Sequence, residues 1–158
     1  MSEGELPRRF LRLLESRRIR RFPDGEAAVS EELEAARHDL REAEESLRRG
    51  SFKWATVQGY YAIFHAARAL LFARGYRERS HSALAQAIKA LYVDRGRLPE
   101  SLHEAHVNAM SLRETADYRS QFSERGAVQV AAGAREYIAA AEAILREDGL
   151  LAPPEEGQ

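Results

Sequence analysis

The stretch TVQGYYAIFHAARALLFARGYRERSHSAL, Thr56–Leu84, decides the fold. Trp54, Val57, Tyr61, Phe64, Arg68 and Leu71 fall on one stripe at helical spacing, with Tyr60, Ile63, Ala67 and Leu70 beside it. A helix apolar over so much of its circumference belongs at the centre of a bundle. The pattern predicts a helix from Phe52 to Arg74, roughly 35 Å long at about 1.5 Å per residue. Gly75 stops it, and the basic turn YRERS leads to a further helix over Ser82–Arg95, with Leu84, Ile88, Leu91 and Tyr92 inward.

Outward from this centre, the chain keeps the same period. Upstream, Val29, Leu33, Ala36, Leu40, Ala43 and Leu47 alternate spacings of four and three, a narrow apolar seam on one helix. Gly50 suits its C-terminus and Ser51 the next N-cap. Before it, Leu6–Arg21 reads as a basic amphipathic helix closed by the Pro-Asp-Gly turn at Phe22–Gly25. Downstream, Leu102, Ala105, Ala109 and Leu112 carry a fifth helix towards Tyr118, and Val128–Arg146 a last one. No strand pattern and no internal repeat is read. The expected fold is all-α: an up-and-down antiparallel bundle of four to five main helices with an additional N-terminal helix at its periphery. Its parts are a basic helix and turn (residues 1–25), the bundle (26–148) and a flexible acidic tail (149–158).

At 158 residues the chain is long enough for one domain with a real core. Its 24 Lys and Arg against 25 Asp and Glu argue against a generally basic nucleic-acid binder while leaving room for a local patch. No cysteine is present, which removes disulfides, thiolate metal sites and Cys nucleophiles. With no apolar run of membrane-spanning length and no secretory signal at the N-terminus, a cytoplasmic chain without membrane contact is expected.

Two polar clusters carry candidate chemistry. His81 opens a helix after a turn holding Arg74, Arg77 and Arg79, a composition that suits a phosphate as well as a plain capped surface turn. Arg113 and Asp117, four apart, suit an ion pair, with Tyr118 and Arg119 following. His65, among aromatic and small residues, reads as a buried histidine bonded to a neighbouring helix or as a link between the two clusters. His103 and His106 share a face three residues apart, yet no third or fourth ligand is evident, so neither a metal nor another cofactor is expected.

The YYAIFHAARALL–G–SH sequence, with the R-x-x-A-D-Y element at Arg113–Tyr118, resembles the HEPN-domain family, in particular small members encoded beside a minimal nucleotidyltransferase. The likeness covers about Val29 to Leu145. It implies a helical bundle, commonly a homodimer, with a toxin-like role on RNA or nucleotide and a minimal nucleotidyltransferase as antitoxin. The family's ribonuclease motif is Arg, four to six residues, then His. This chain keeps the arginine as Arg113 but has Tyr118 at the histidine's place. A phenol with pKa near 10 is a poor base at neutral pH. Arg74 and His81 fit the spacing formally but flank an earlier turn. On the resemblance, metal-independent RNA cleavage would proceed by internal attack of the ribose hydroxyl, with Arg113 stabilising the phosphorane and His81 or His65 carrying the proton. Arg74, Arg77, Arg79, Asp117 and Arg119 would contact the nucleotide or RNA. The alternative is a catalytically silent interaction module that binds a nucleotide or the partner nucleotidyltransferase.

Overall fold

A computed structural model describes residues 5–119 and 122–154; the side chains at 117–119 lie outside the described set. In chain order it comprises α1 (Arg8–Glu15), β1 (Ile19–Arg21), α2 (Gly25–Arg48), α3 (Phe52–Ala73), β2 (Tyr76–Glu78), α4 (His81–Ile88), α5 (Glu100–Arg119) and α6 (Glu124–Glu147). A single π-helical turn, Lys89–Val93, continues α4. α3 is the axis, packed by α2, α5 and α6 and bordered by α4 and β2. It earns that place through small residues. Ala55, Ala62, Ala66, Ala67 and Ala69 are fully buried, and a Cβ on Gly59 would stand 2.7 Å from Val130 Cγ1 on α6. Leu33, Ile63, Leu70, Leu84, Tyr92 and Tyr137, drawn from five segments, fill one continuous core.

The N-terminal segment departs from expectation in three ways. The helix predicted to run to Arg21 stops at Glu15. Arg17 takes a left-handed φ of 61°, its N–H bonded to Leu14 O and that of Arg18 to Leu13 O. This is the Schellman closure that glycine usually supplies, and an arginine there gives no warning in the sequence. The chain then forms β1, which pairs antiparallel with β2 with Ile19 opposite Glu78 and Arg20 opposite Arg77. Three-residue strands are too short to show a period of two. Finally, the segment is not peripheral: Phe10, Leu13 and Ile19 are buried in the common core, with Phe10 edge-on to Tyr76 at 4.8 Å.

Two other expectations shift. Trp54, placed on the inward stripe, is 52% exposed, with the Lys53 ammonium over its ring at 5.0 Å. Ser51 precedes α3 without a side-chain cap bond, whereas Gly50 closes α2 at φ 73°.

Candidate functional site: a histidine–arginine cleft between α4 and α5

The aromatic row Tyr60, Tyr61 and Phe64 of α3 does two jobs. Tyr60 is fully buried, while Tyr61 and Phe64 are only partly covered and form a wall. His81, first residue of α4, lies against this wall: its ring stacks on Phe64 at 4.9 Å and on Tyr60 at 5.6 Å, with Tyr61 edge-on at 6.3 Å. The position of His81 is fixed from both sides. Ser80 caps α4 by accepting from the Ala83 N–H, and the Tyr60 hydroxyl is hydrogen-bonded to His81 Nδ1. From α5, the Arg113 guanidinium sits over the Tyr60 ring at 5.1 Å and the Tyr61 ring at 6.0 Å.

Arg113 and His81 therefore meet on one aromatic platform. They face a cleft of about 620 Å³ between α4 and α5, whose other walls include Ser82, Gln86, His103, Met110, Ser111 and Glu114. Burial, then the positive charges of Arg113 and Arg68, push the His81 pKa down from its usual value. The imidazole is thus neutral at neutral pH. Burial raises the Tyr60 phenol well above its ordinary range, an effect that Arg113 partly opposes, so the hydroxyl keeps its proton.

His65 does not join this site. Its Nδ1 is 2.7 Å from Glu32 Oε2 and its Nε2 3.6 Å from Asp39 Oδ2, both on α2. The expected bond to His81 or to the Arg113 element is not formed among the described residues; Tyr60 makes the link to His81 instead. A helical step of five residues turns His65 away from Tyr60. Arg68 extends the α2 network, with Glu32 at 3.3 Å and Glu78 at 3.1 Å, so the cluster around His65 ties α2, α3 and β2 together.

The basic turn also divides. Arg74 lies over the Tyr92 ring at 6.0 Å, and Arg77 over Phe22 and Phe72 at 5.4 and 5.6 Å. Arg79 is exposed, and its N–H bonds to Arg18 O. The cations felt by His81 are Arg113 and Arg68, not the three arginines next to it in sequence, because Arg74 and Arg77 lie over other rings and Arg79 is exposed. Asp117, Tyr118 and Arg119 lie on α5 with side chains outside the described set, and so does the expected Arg113–Asp117 pair.

His103 lines the cleft whereas His106 is fully buried beneath it, against Tyr60 at 6.4 Å and Tyr137 at 5.8 Å. Among the described residues, no group of three or more His, Asp or Glu side chains is placed to hold a metal. No helix there is long and apolar enough to cross a membrane. Sequence reading treated Tyr60 and Tyr61 as packing only, and missed Ser82 and Gln86. The doubled tyrosine one turn before His65 is the signal that could have pointed to the platform.

Comparisons with known proteins agree with the helical fold. The fold matches that of TT1696 from Thermus thermophilus, with TM-score 0.63 and 25% identity over 73% of this chain and 97% of that one. It is a helical fold of a recognised kind. The HEPN domain pattern matches residues 29–148, and the chain belongs to that family. Two curated relatives are similar over 86 residues, 54% of this chain. "Putative toxin MJ0605" of Methanocaldococcus jannaschii is 28% identical, and "UPF0332 protein glr0978" of Gloeobacter violaceus is 30% identical. The matches span 64% and 68% of those proteins, just under two thirds of the first.

Proposed function

We propose that this chain is the toxin-like member of a two-component pair and that its α4–α5 cleft holds a phosphate of RNA or a nucleotide. The observation that carries the reading is the meeting of Arg113 and His81 on the Tyr60 ring, at the mouth of a cleft large enough for a nucleotide. A guanidinium offers paired donors to phosphate oxygens, and Ser82, Gln86 and Ser111 add neutral polar groups. The archaeal relative's name supports the toxin-like role.

The same constellation supports slow, metal-independent cleavage. In the tautomer where Nδ1–H donates to the Tyr60 oxygen, Nε2 is left to accept the proton of an attacking ribose hydroxyl. Arg113 would then neutralise the charge that develops on phosphorus-bound oxygens. As the bond from phosphorus to the 5′-oxygen breaks, protonated His81 would pass that proton to the departing oxygen. A neutral His81 supplies the base that Tyr118, a phenol, does not. A minimal nucleotidyltransferase as antitoxin and a homodimer belong to the same reading. Exposed Val107, Phe122 and Val128 offer apolar surface for the second copy.

The test is fluorescence anisotropy with labelled RNA and nucleotide, beside a cleavage assay in chelator. Arg113→Ala should weaken binding about 10- to 100-fold, the worth of a charge-assisted hydrogen bond of about 1.5–3 kcal/mol. Cleavage should fall as pH drops below the ordinary histidine range, and His81→Asn should abolish it. A folded wild type that binds neither ligand would favour the silent partner-binding module. Strong cleavage unaffected by Arg113→Ala would move the site elsewhere.

A further inference from the structure

Outside the residues matched by the family pattern, the segment Arg8–Arg21 holds seven arginines against one glutamate, in a chain of net charge −1. The ribbon concentrates that charge. Ile19 and Tyr76, alternate with Arg20 and Arg77, are buried. Arg20 stands directly opposite Arg77, and the Arg79 N–H to Arg18 O bond extends the ladder by one pair. Because side chains alternate along a strand, Arg18, Arg20, Arg77 and Arg79 share one face. Like charges paired across strands destabilise a ribbon. Among the described residues, the carboxylate acted on by one of the four is Glu78, next to Arg77, and its ion pair at 3.1 Å is with Arg68. Arg17 adds a second oddity, an arginine in the left-handed conformation that glycine adopts at no steric cost.

This face leads to the site. Arg18 donates to Ser82 Oγ at 2.9 Å and to Gln86 Oε1 at 3.4 Å, and both of those residues line the α4–α5 cleft. A second groove of about 650 Å³, walled by Arg9, Arg12, Ser16 and Arg18, also has Gln86 in its lining. Gln86 thus borders both hollows.

We infer that the arginine face of α1 and the β1–β2 ribbon is a track for the phosphates of single-stranded RNA, delivering the strand into the Arg113–His81 cleft. The inference rests on the cleft reading above. A polyanion relieves the cross-strand repulsion that the fold otherwise tolerates. Residues two apart on a strand are about 6.6 Å apart, a spacing on the scale of successive phosphates in an extended strand. Continuity with a phosphate-binding cleft favours RNA over an acidic protein or a lipid surface.

The test uses Arg20→Ala with Arg79→Ala, leaving Arg18 and Arg77, whose contacts support the fold. Binding is measured across a salt series with labelled single-stranded RNA of about 20 nucleotides and with a 5′-phosphorylated dinucleotide that fits the cleft alone. The double variant should lower the salt slope for the long RNA by about 1.4, at about 0.7 for each phosphate no longer neutralised, and weaken it several-fold at low salt. Its dinucleotide affinity should match wild type, whereas Arg113→Ala should weaken both probes. An unchanged slope and affinity for the long RNA in the double variant, with Arg113 dependence intact, would overturn the track and leave the cleft reading standing. A wild type that binds neither probe would overturn the cleft reading itself. Tighter binding of polyglutamate or phosphatidylserine vesicles than of RNA at the same salt would overturn RNA as the occupant.

Discussion

Replacing His106 by leucine should remove much of the acid sensitivity of this protein. His106 is fully buried, and neither ring nitrogen has a hydrogen-bond partner among the described residues. Burial, with smaller contributions from His103 and His81, pushes its pKa down to about 3 from 6.5. The folded state therefore holds His106 neutral, while the unfolded chain protonates it below 6.5. Between those values the unfolded state binds more protons, so stability falls as pH falls. From pH 7 to pH 5 the single site should cost about 2 kcal/mol, since nearly 1.5 pKa units of the shift are then expressed at about 1.4 kcal/mol each. For a domain of this size that is a drop in Tm of roughly 4–8 °C. His81 and His103, also lowered, act with the same sign. Asp39 and Glu78, raised by burial, act oppositely, holding stability at low pH and losing it as pH rises through their folded values. Comparing wild type with His106→Leu cancels these shared contributions. Urea unfolding at both pH values is the assay, and the variant should lose about 2 kcal/mol less than wild type between them. Equal losses, within about 0.5 kcal/mol, would show that the folded protein lets His106 take a proton readily, and the burial argument would fail.

Two further outcomes test the packing around the site. Gly59→Ala places a methyl group against Val130 and should destabilise by about 1–3 kcal/mol in urea unfolding, with Val130→Ala restoring part of the loss; no effect would mean that α3 and α6 are not in close approach. Arg68→Ala strips Glu32 and Glu78 of their shared, largely buried cation and should cost about 3 kcal/mol at neutral pH. A loss below about 0.5 kcal/mol would mark that network as solvated.

Sequence alone determined the helices and their order, because a period of about 3.6 repeats across whole segments and glycine marks their ends. Leu33, Ile63, Leu70 and Leu84 were readable as core from spacing, and Gly50 as a helix stop from its freedom at positive φ. Family membership was legible in the same way, from a long contiguous run around Tyr60–His81 and the Arg113 element. Arg113 and His81 were each visible as candidates. Their meeting was expected through His65, whereas the structure makes it through Tyr60, because α3 packs against both α4 and α5 and offers that ring to each. The end of α1 at Arg17 was hidden because a residue of ordinary helix propensity fills a conformation that only the surrounding hydrogen bonds impose. Tertiary structure alone decided the destinations of the polar side chains. Spacing fixes the direction in which a side chain leaves its own helix, but which partner it meets depends on the neighbour packed there. For that reason His65 answers to Glu32 and Asp39, Arg74 turns to the Tyr92 ring, and Arg77 and Arg79 belong to a ribbon that no periodicity announced.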